Sequence, residues 1–354
     1  MGLSAIVAIL VVFSDAAKHT QQESCGVYCS SSEQAAGDQT DKQQYEPSSV
    51  PSESIQADSS RLFSQYISSA RSLSSIPSKL SVSYASPEFS TIKITRDIPY
   101  KLTANKTMDP GVTSPVTLLL NLYEPTENTN TDKPVLIFVY GGGMCVGDRL
   151  QQEQSAIEFA KYGYVTATID YRMRYDLCGI SDGSVDEADI PAYYAQFILS
   201  MKDVTADILD AKSFLASQAS SYGISSSKFG IVGWSVGGTT SEAILLDNFD
   251  NQRSGIGGIV TTSGFFPVDP ASLNPTANLG TLSSQRPLPP VLTISYDVDE
   301  GFRGVDADAG RDCAYISSLG ASCTYIELPG QGHPLEAYDH TNSIIPFLKN
   351  SLGL

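Results

Sequence analysis

The chain has 354 residues, 41% of them hydrophobic, and its 39 acidic residues outnumber 22 basic ones for a net charge of −17. That supply of apolar residues suits one domain of roughly 250–290 residues with a tail better than two domains. With no basic patch against so acidic a balance, nucleic acid is excluded as a partner.

Residues 1–17 read as a secretory signal, because Leu3 to Phe13 is an almost wholly apolar run and Ser14-Asp15-Ala16 supplies small residues for cleavage. The run falls short of the about 20 apolar residues that span a bilayer, so no stable membrane insertion is expected. The chain is therefore read as secreted. Residues 18–60 are rich in Ser, Gln, Glu and Asp with few large apolar residues. Such a segment cannot bury enough surface to offset its ordering entropy and is expected to be a low-complexity, disordered tail. Residues 61–354 then form the folded domain.

Six cysteines suit a secreted chain and permit three disulfides, whose connectivity spacing alone does not fix. Chain proximity suggests Cys25–Cys29 and Cys313–Cys323, leaving Cys145–Cys178. No paired Cys-x-x-Cys spacing supports a metal site, and no cofactor is expected. Asn105-Lys106-Thr107 is a glycosylation sequon in a chain that enters a secretory pathway.

Past Pro87 the pattern becomes that of a folded domain. Thr91 to Pro99 alternates as a strand, and Val116 to Tyr123 reads as its antiparallel neighbour. Pro134 to Val139 is a continuous apolar strand ending in Tyr140-Gly141-Gly142-Gly143. Gln154 to Tyr162 carries a helical apolar face, and Tyr164 to Asp170 is another buried strand. Met201 to Tyr222 is a long amphipathic helix. Phe229 to Val232 is a strand that stops at Gly233, and Ser241 to Leu246 reads as a helix. Strands follow at Ile256 to Thr262, Pro290 to Ser295 and Cys323 to Leu328. Helices are expected from about Asp308 to Leu319 and from Glu336 to Leu348, the last kinked or broken at Pro346. Buried strands alternating with helices predict an α/β fold, a mostly parallel central sheet with helices on both faces.

Between strand and helix lies Gly233-Trp234-Ser235-Val236-Gly237, a Gly-x-Ser-x-Gly pattern in the context of a nucleophile elbow. At so sharp a turn the serine is strained, and its neighbours two residues away must be small. Gly179-Ile180-Ser181-Asp182-Gly183 matches too, but it lacks a preceding strand and acidic residues crowd it, so it reads as an exposed loop. A serine needs a base to take its proton. Of three histidines, His19 lies at the signal boundary and His340 reads as part of the last helix. His333, in the Gly-rich loop after the last strand, is the candidate base. Asp297, Asp299 and Glu300 follow the preceding strand, and Asp299 is chosen to orient the imidazole because it is far enough past the strand to curl back. The Val236 N–H and those of Gly142 and Gly143 are candidate oxyanion donors. Ligands of such sheets bind at the carboxyl ends of the strands, where all these residues fall.

Three stretches carry a family resemblance. Pro134 to Gly143 followed by Gly147-Asp148, Gly163-Tyr164-Val165 leading to Ile169-Asp170-Tyr171-Arg172, and Tyr222-Gly223-Ile224 followed by Gly233 to Gly238 resemble the α/β-hydrolase superfamily. Within it they resemble its carboxylesterase/lipase branch of His-Gly-Gly-Gly type, from about Thr91 to the C-terminus. The resemblance implies a serine esterase working through an acyl-enzyme, with Ser235 as nucleophile, His333 as base and Asp299 as orienter. Its substrate would be a small or polymer-borne ester. Tyr140 stands where the branch usually has His. Met144, Trp234, Phe265 and Phe266 are candidates to line the acyl pocket, or else core. Similar strings occur in prolyl-oligopeptidase-like serine peptidases, but this chain has no room or repeats for their propeller domain. A serine peptidase or amidase, and a non-catalytic binding protein on the same fold, are the alternative readings. Oligomeric state is not legible.

Overall fold

The fold grows from apolar runs that become the middle of one sheet. The computed structural model describes residues 80–109, 112–174, 190–264, 268–269, 274–275, 282–298, 309–318, 320–333 and 336–354, all within one unit. The signal, the tail, Cys25, Cys29, Cys178, Phe265, Phe266 and Asp299 lie outside the described residues.

The sheet strands are β1 (Ile92–Asp109), β2 (Val112–Pro125), β3 (Lys133–Val139), β4 (Val165–Ile169), β5 (Ile224–Trp234), β6 (Ile256–Thr262), β7 (Val291–Val298) and β8 (Cys323–Gln331). They lie in the order β1-β2-β4-β3-β5-β6-β7-β8. β2 runs antiparallel to both β1 and β4, and every other pair is parallel. A separate ribbon pairs Val268–Asp269 with Asn274–Pro275. The mostly parallel sheet is the one predicted from sequence. β1 and β2 extend beyond the alternating stretches, and their register places Asn105 opposite Pro115.

Both faces of the sheet's central strands are buried, as parallel sheets require, while the edge strands are partly exposed. Along β3, Val135, Ile137 and Val139 enter one core cluster while Leu136 and Phe138 enter the other. The first cluster takes in Val204, Ile208 and Leu215 of α2 (Ile190–Ser217), Val236 of α3 (Val236–Glu242) and Ile316 of α4 (Ala309–Ser318). The second takes in Ala156 and Phe159 of α1 (Glu153–Ala160), with Ile344 and Leu348 of α5 (Thr341–Ser351).

Three helix boundaries differ from the sequence reading. α2 begins at Ile190, well before Met201. α3 begins at Val236, directly after the serine, although Gly237, Gly238, Thr239 and Thr240 are poor helix formers. All four are buried, so packing overrides propensity there. The last helix is not broken at Pro346. It runs through that residue to Ser351, and the change of geometry lies earlier, where a 3-10 turn (Ala337–His340) hands over to α5.

Candidate active site

Register brings the ends of five neighbouring strands to one edge. Val139 pairs with Gly233, Trp234 with Thr262, Thr262 with Ile294, and Val298 with Gln331. The glycine loop after β3, Ser235 after β5 and His333 after β8 therefore share that edge.

Ser235 has φ 55° and ψ −128°, a left-handed-side conformation that costs about 1–3 kcal/mol and persists only when its surroundings enforce it. Those surroundings are explicit. The Ser235 N–H donates to the Thr262 carbonyl (2.8 Å), and its own carbonyl accepts from Gly238 (2.9 Å) and Thr239 (3.1 Å). A Cβ at Gly233 would lie 2.3 Å from the Gly237 oxygen, and one at Gly237 would lie 2.4 Å from the Val139 oxygen. The glycines of the motif are thus required by backbone-to-backbone approach.

His333 Nε2 lies 2.9 Å from Ser235 Oγ, and both residues are buried. The His333 carbonyl accepts a hydrogen bond from the Ser263 hydroxyl, which ties the loop after β8 to the end of β6. Ser263 is itself at positive φ and donates its N–H to Ile294 (2.9 Å). The Trp234 ring lies 6.2 Å from the imidazole, and its buried indole N–H has no hydrogen-bond partner among the described residues. His340 stands apart as the cap of α5. Asp299 lies outside the described residues, one position past Val298, which pairs with Gln331 of β8.

In the glycine loop, Gly142, Gly143 and Met144 all have positive φ. The Gly142 carbonyl accepts from Cys145 (3.0 Å) and Val146 (3.1 Å), and a Cβ at Gly141 would lie 2.8 Å from that of Ser235. Among the described residues, the backbone N–H groups of Gly142, Gly143 and Val236 have no hydrogen-bond partner. Met144 is fully buried in the first core cluster.

Sequence reasoning missed Ser263 and Tyr171. The Tyr171 hydroxyl donates to the Tyr140 and Gly141 carbonyls at 3.2 and 3.0 Å. Both contacts are to backbone, so no residue spacing announces them. It also missed Glu242 at the end of α3. Burial raises that carboxyl to about 7, the nearby Asp312 adding to the effect, while the Thr261 and Thr293 hydroxyls oppose it. Thr293 donates to it at 3.0 Å.

Cys313 and Cys323 form a disulfide, as paired from sequence. Cys145 is disulfide-bonded too, to a partner outside the described residues. No group of three or more His, Cys, Asp or Glu among the described residues could hold a metal ion, and no described helix is long and apolar enough to cross a membrane. A hollow of about 530 Å³ is lined by Arg96, Asp97, Asn121, Arg149, Leu150 and Glu153, none of them a site residue. Its arginines are engaged, Arg96 with Glu153 and Arg149 with Asp97 and Asp170.

Comparison with known proteins agrees with this architecture. The BD-FAE family model matches residues 120–178, the stretch holding β3, the glycine loop and β4 but not Ser235. Carboxylesterase 3B of Mus musculus is 45% identical over 58 residues, which are 16% of this chain and only 10% of that protein. Among solved structures, Thermogutta terrifontis esterase 2 phosphonylated by cyclosarin superposes with TM-score 0.52 at 19% identity, covering 75% of this chain and 96% of its own. Esterase B from Lactobacillus rhamnosis gives 0.51 at 16%, covering 76% and 89%. A fungal esterase from Rhizomucor miehei gives 0.50 at 17%, covering 76% and 87%. These likenesses establish the α/β-hydrolase fold.

Proposed function

We propose that this chain of α/β-hydrolase fold is a secreted serine esterase that cleaves carboxylic esters through an acyl-enzyme. The observation that carries the reading is the 2.9 Å approach of His333 Nε2 to Ser235 Oγ across 98 residues of sequence. In the proposed reaction His333 takes the hydroxyl proton as Ser235 Oγ bonds to the ester carbonyl carbon. Negative charge then develops on the carbonyl oxygen, where the N–H groups of Gly142, Gly143 and Val236 would receive it. Collapse expels the alcohol with the proton from His333, and a water deprotonated by His333 releases the acid and restores Ser235. Asp299 is assigned to hold the imidazole in its tautomer. Trp234, Phe265 and Phe266 are assigned to the acyl side, Met144 supporting them from the core.

Secretion is supported by the apolar N-terminal run and by three disulfide-bonded cysteines, Cys145, Cys313 and Cys323, since disulfides persist in oxidising compartments. Asn105 is then the glycosylation site. Matches to esterases favour ester over amide substrates, and the proposed substrate is a small or polymer-borne ester.

The test is turnover of short p-nitrophenyl esters and the matching anilides by wild type beside Ser235→Ala. The reading expects ester hydrolysis that falls by at least about 10³-fold in the variant. Anilide turnover that exceeds ester turnover favours an amidase. Equal activity in the two folded proteins overturns the assignment.

A further inference from the structure

Four carbonyls of the glycine loop accept hydrogen bonds, those of Tyr140, Gly141, Gly142 and Met144, and a single side chain fixes two of them. Tyr171 stacks on Tyr140 with ring centroids 4.2 Å apart and planes 15° from parallel, both rings almost fully buried. Its hydroxyl shares its proton between the Tyr140 and Gly141 carbonyls. Three residues on, the Arg174 N–H donates to the Met144 carbonyl (2.8 Å), while the Gly142 carbonyl is taken within the loop. The N–H groups of Gly142 and Gly143 are without partners among the described residues.

Tyr171 is itself held from both sides. The Asp170 carbonyl accepts from the Tyr100 hydroxyl (2.5 Å), and its carboxylate takes Arg149 (2.6 Å). The Arg172 N–H and guanidinium both bond the buried Asp207 at 2.9 Å, which also receives Lys101 at 2.8 Å. A ring so anchored can transmit little freedom to the loop it braces. Gly142, Gly143 and Met144 all sit at positive φ, a region that the Cβ of Met144 disfavours, so the loop depends on bonds from outside its own turn.

We infer that the Tyr171 hydroxyl is a positioning group for acyl transfer: by gripping the Tyr140 and Gly141 carbonyls it aims the Gly142 and Gly143 N–H groups at the developing oxyanion. This rests on the esterase reading above. It also accounts for Tyr140 at a position where the resembling esterases usually carry His, because here the brace comes from the tyrosine stacked upon it. Since the donors stay in place and only their aim is loosened, the loss should be smaller than the 10²–10³-fold typical of deleting a donor outright.

Tyr171→Phe keeps the ring and the stack and removes only the hydroxyl. The expected result is a kcat lower by about tenfold on p-nitrophenyl butyrate with KM within about twofold, and a matching fall in the rate at which a p-nitrophenyl phosphonate modifies Ser235. Rates are normalised to sites titrated by that phosphonate, so partial folding does not enter. If the variant does not fold, 4-fluorophenylalanine at position 171 fills the hydroxyl's volume without donating, and the same losses are expected. Either replacement with kcat and phosphonylation rate within twofold of wild type overturns the inference, whatever happens to Tm. A wild type that neither hydrolyses esters nor reacts with the phosphonate sinks the esterase reading itself, and this inference with it.

Discussion

Ser235 is held by what surrounds it more than by its own preferences. Its positive φ is enforced by bonds to Thr262, Gly238 and Thr239, and glycines stand wherever a Cβ would strike backbone. Glu242 shows the converse, a buried carboxyl whose cost is expressed through pH. It titrates near 7 when folded against an ordinary 4.5, so between those values the folded chain binds a proton that the unfolded chain does not. Its contribution is therefore fully present below about pH 4.5 and is lost as pH rises through 7. Glu336 is raised to about 7 by burial and Asp339, and acts in the same direction. Glu242→Gln keeps an acceptor for Thr293, leaves Glu336 in place and removes this one titration. Urea titrations at pH 5 and pH 8 should show wild type losing up to about 3 kcal/mol more stability than the variant across that interval. Equal losses in the two proteins would contradict the assignment. That Ser235 and His333 would meet was legible because a serine nucleophile needs an imidazole base and both residues follow strands of one sheet. Tyr171 stood in a family-like string, but its grip on two backbone carbonyls had no signature there, and neither did the Ser263 bond to a carbonyl or the Glu242 bonds to two hydroxyls.

At the scale of elements, β3, β4, β6 and the Phe229 to Val232 part of β5 were readable from apolar runs buried on both faces, whereas the polar start of β5 at Ser225 to Lys228 was not. Helices were less so. α3 is built from Val-Gly-Gly-Thr-Thr-Ser-Glu, whose propensities argue against a helix, and packing against β5 and β6 decides the matter. α4 offers a cleaner test, for its Cys313 is joined to Cys323 at the start of β8, closing a loop of 10 residues. In the chain-entropy account a loop of that size contributes about 3 kcal/mol by restricting the unfolded chain. Cys313→Ser with Cys323→Ser should lower unfolding stability by about 2–3 kcal/mol in urea while ester turnover of the folded fraction persists. A change below about 0.5 kcal/mol would show that unfolding there does not release the loop.

Across the whole molecule, three segments far apart in sequence converge because parallel strands carry their ends to one edge. The glycine loop, Ser235 and His333 each follow a different strand, and the register of β3, β5, β6, β7 and β8 does the rest. The alternation of strands and helices made this convergence readable from sequence alone. The bracing of the glycine loop by the chain after β4 was not, as it depends on how β4 is seated between β2 and β3. The central claim is that this convergence activates Ser235, and peptide mass analysis after brief exposure to a phosphonate ester tests it most directly. The account predicts one adduct on the peptide bearing Ser235, absent in Ser235→Ala and formed at least about 10²-fold more slowly in His333→Ala, where the base is gone. A folded protein that takes up no adduct, carries it on another residue, or labels equally fast without His333 would contradict it.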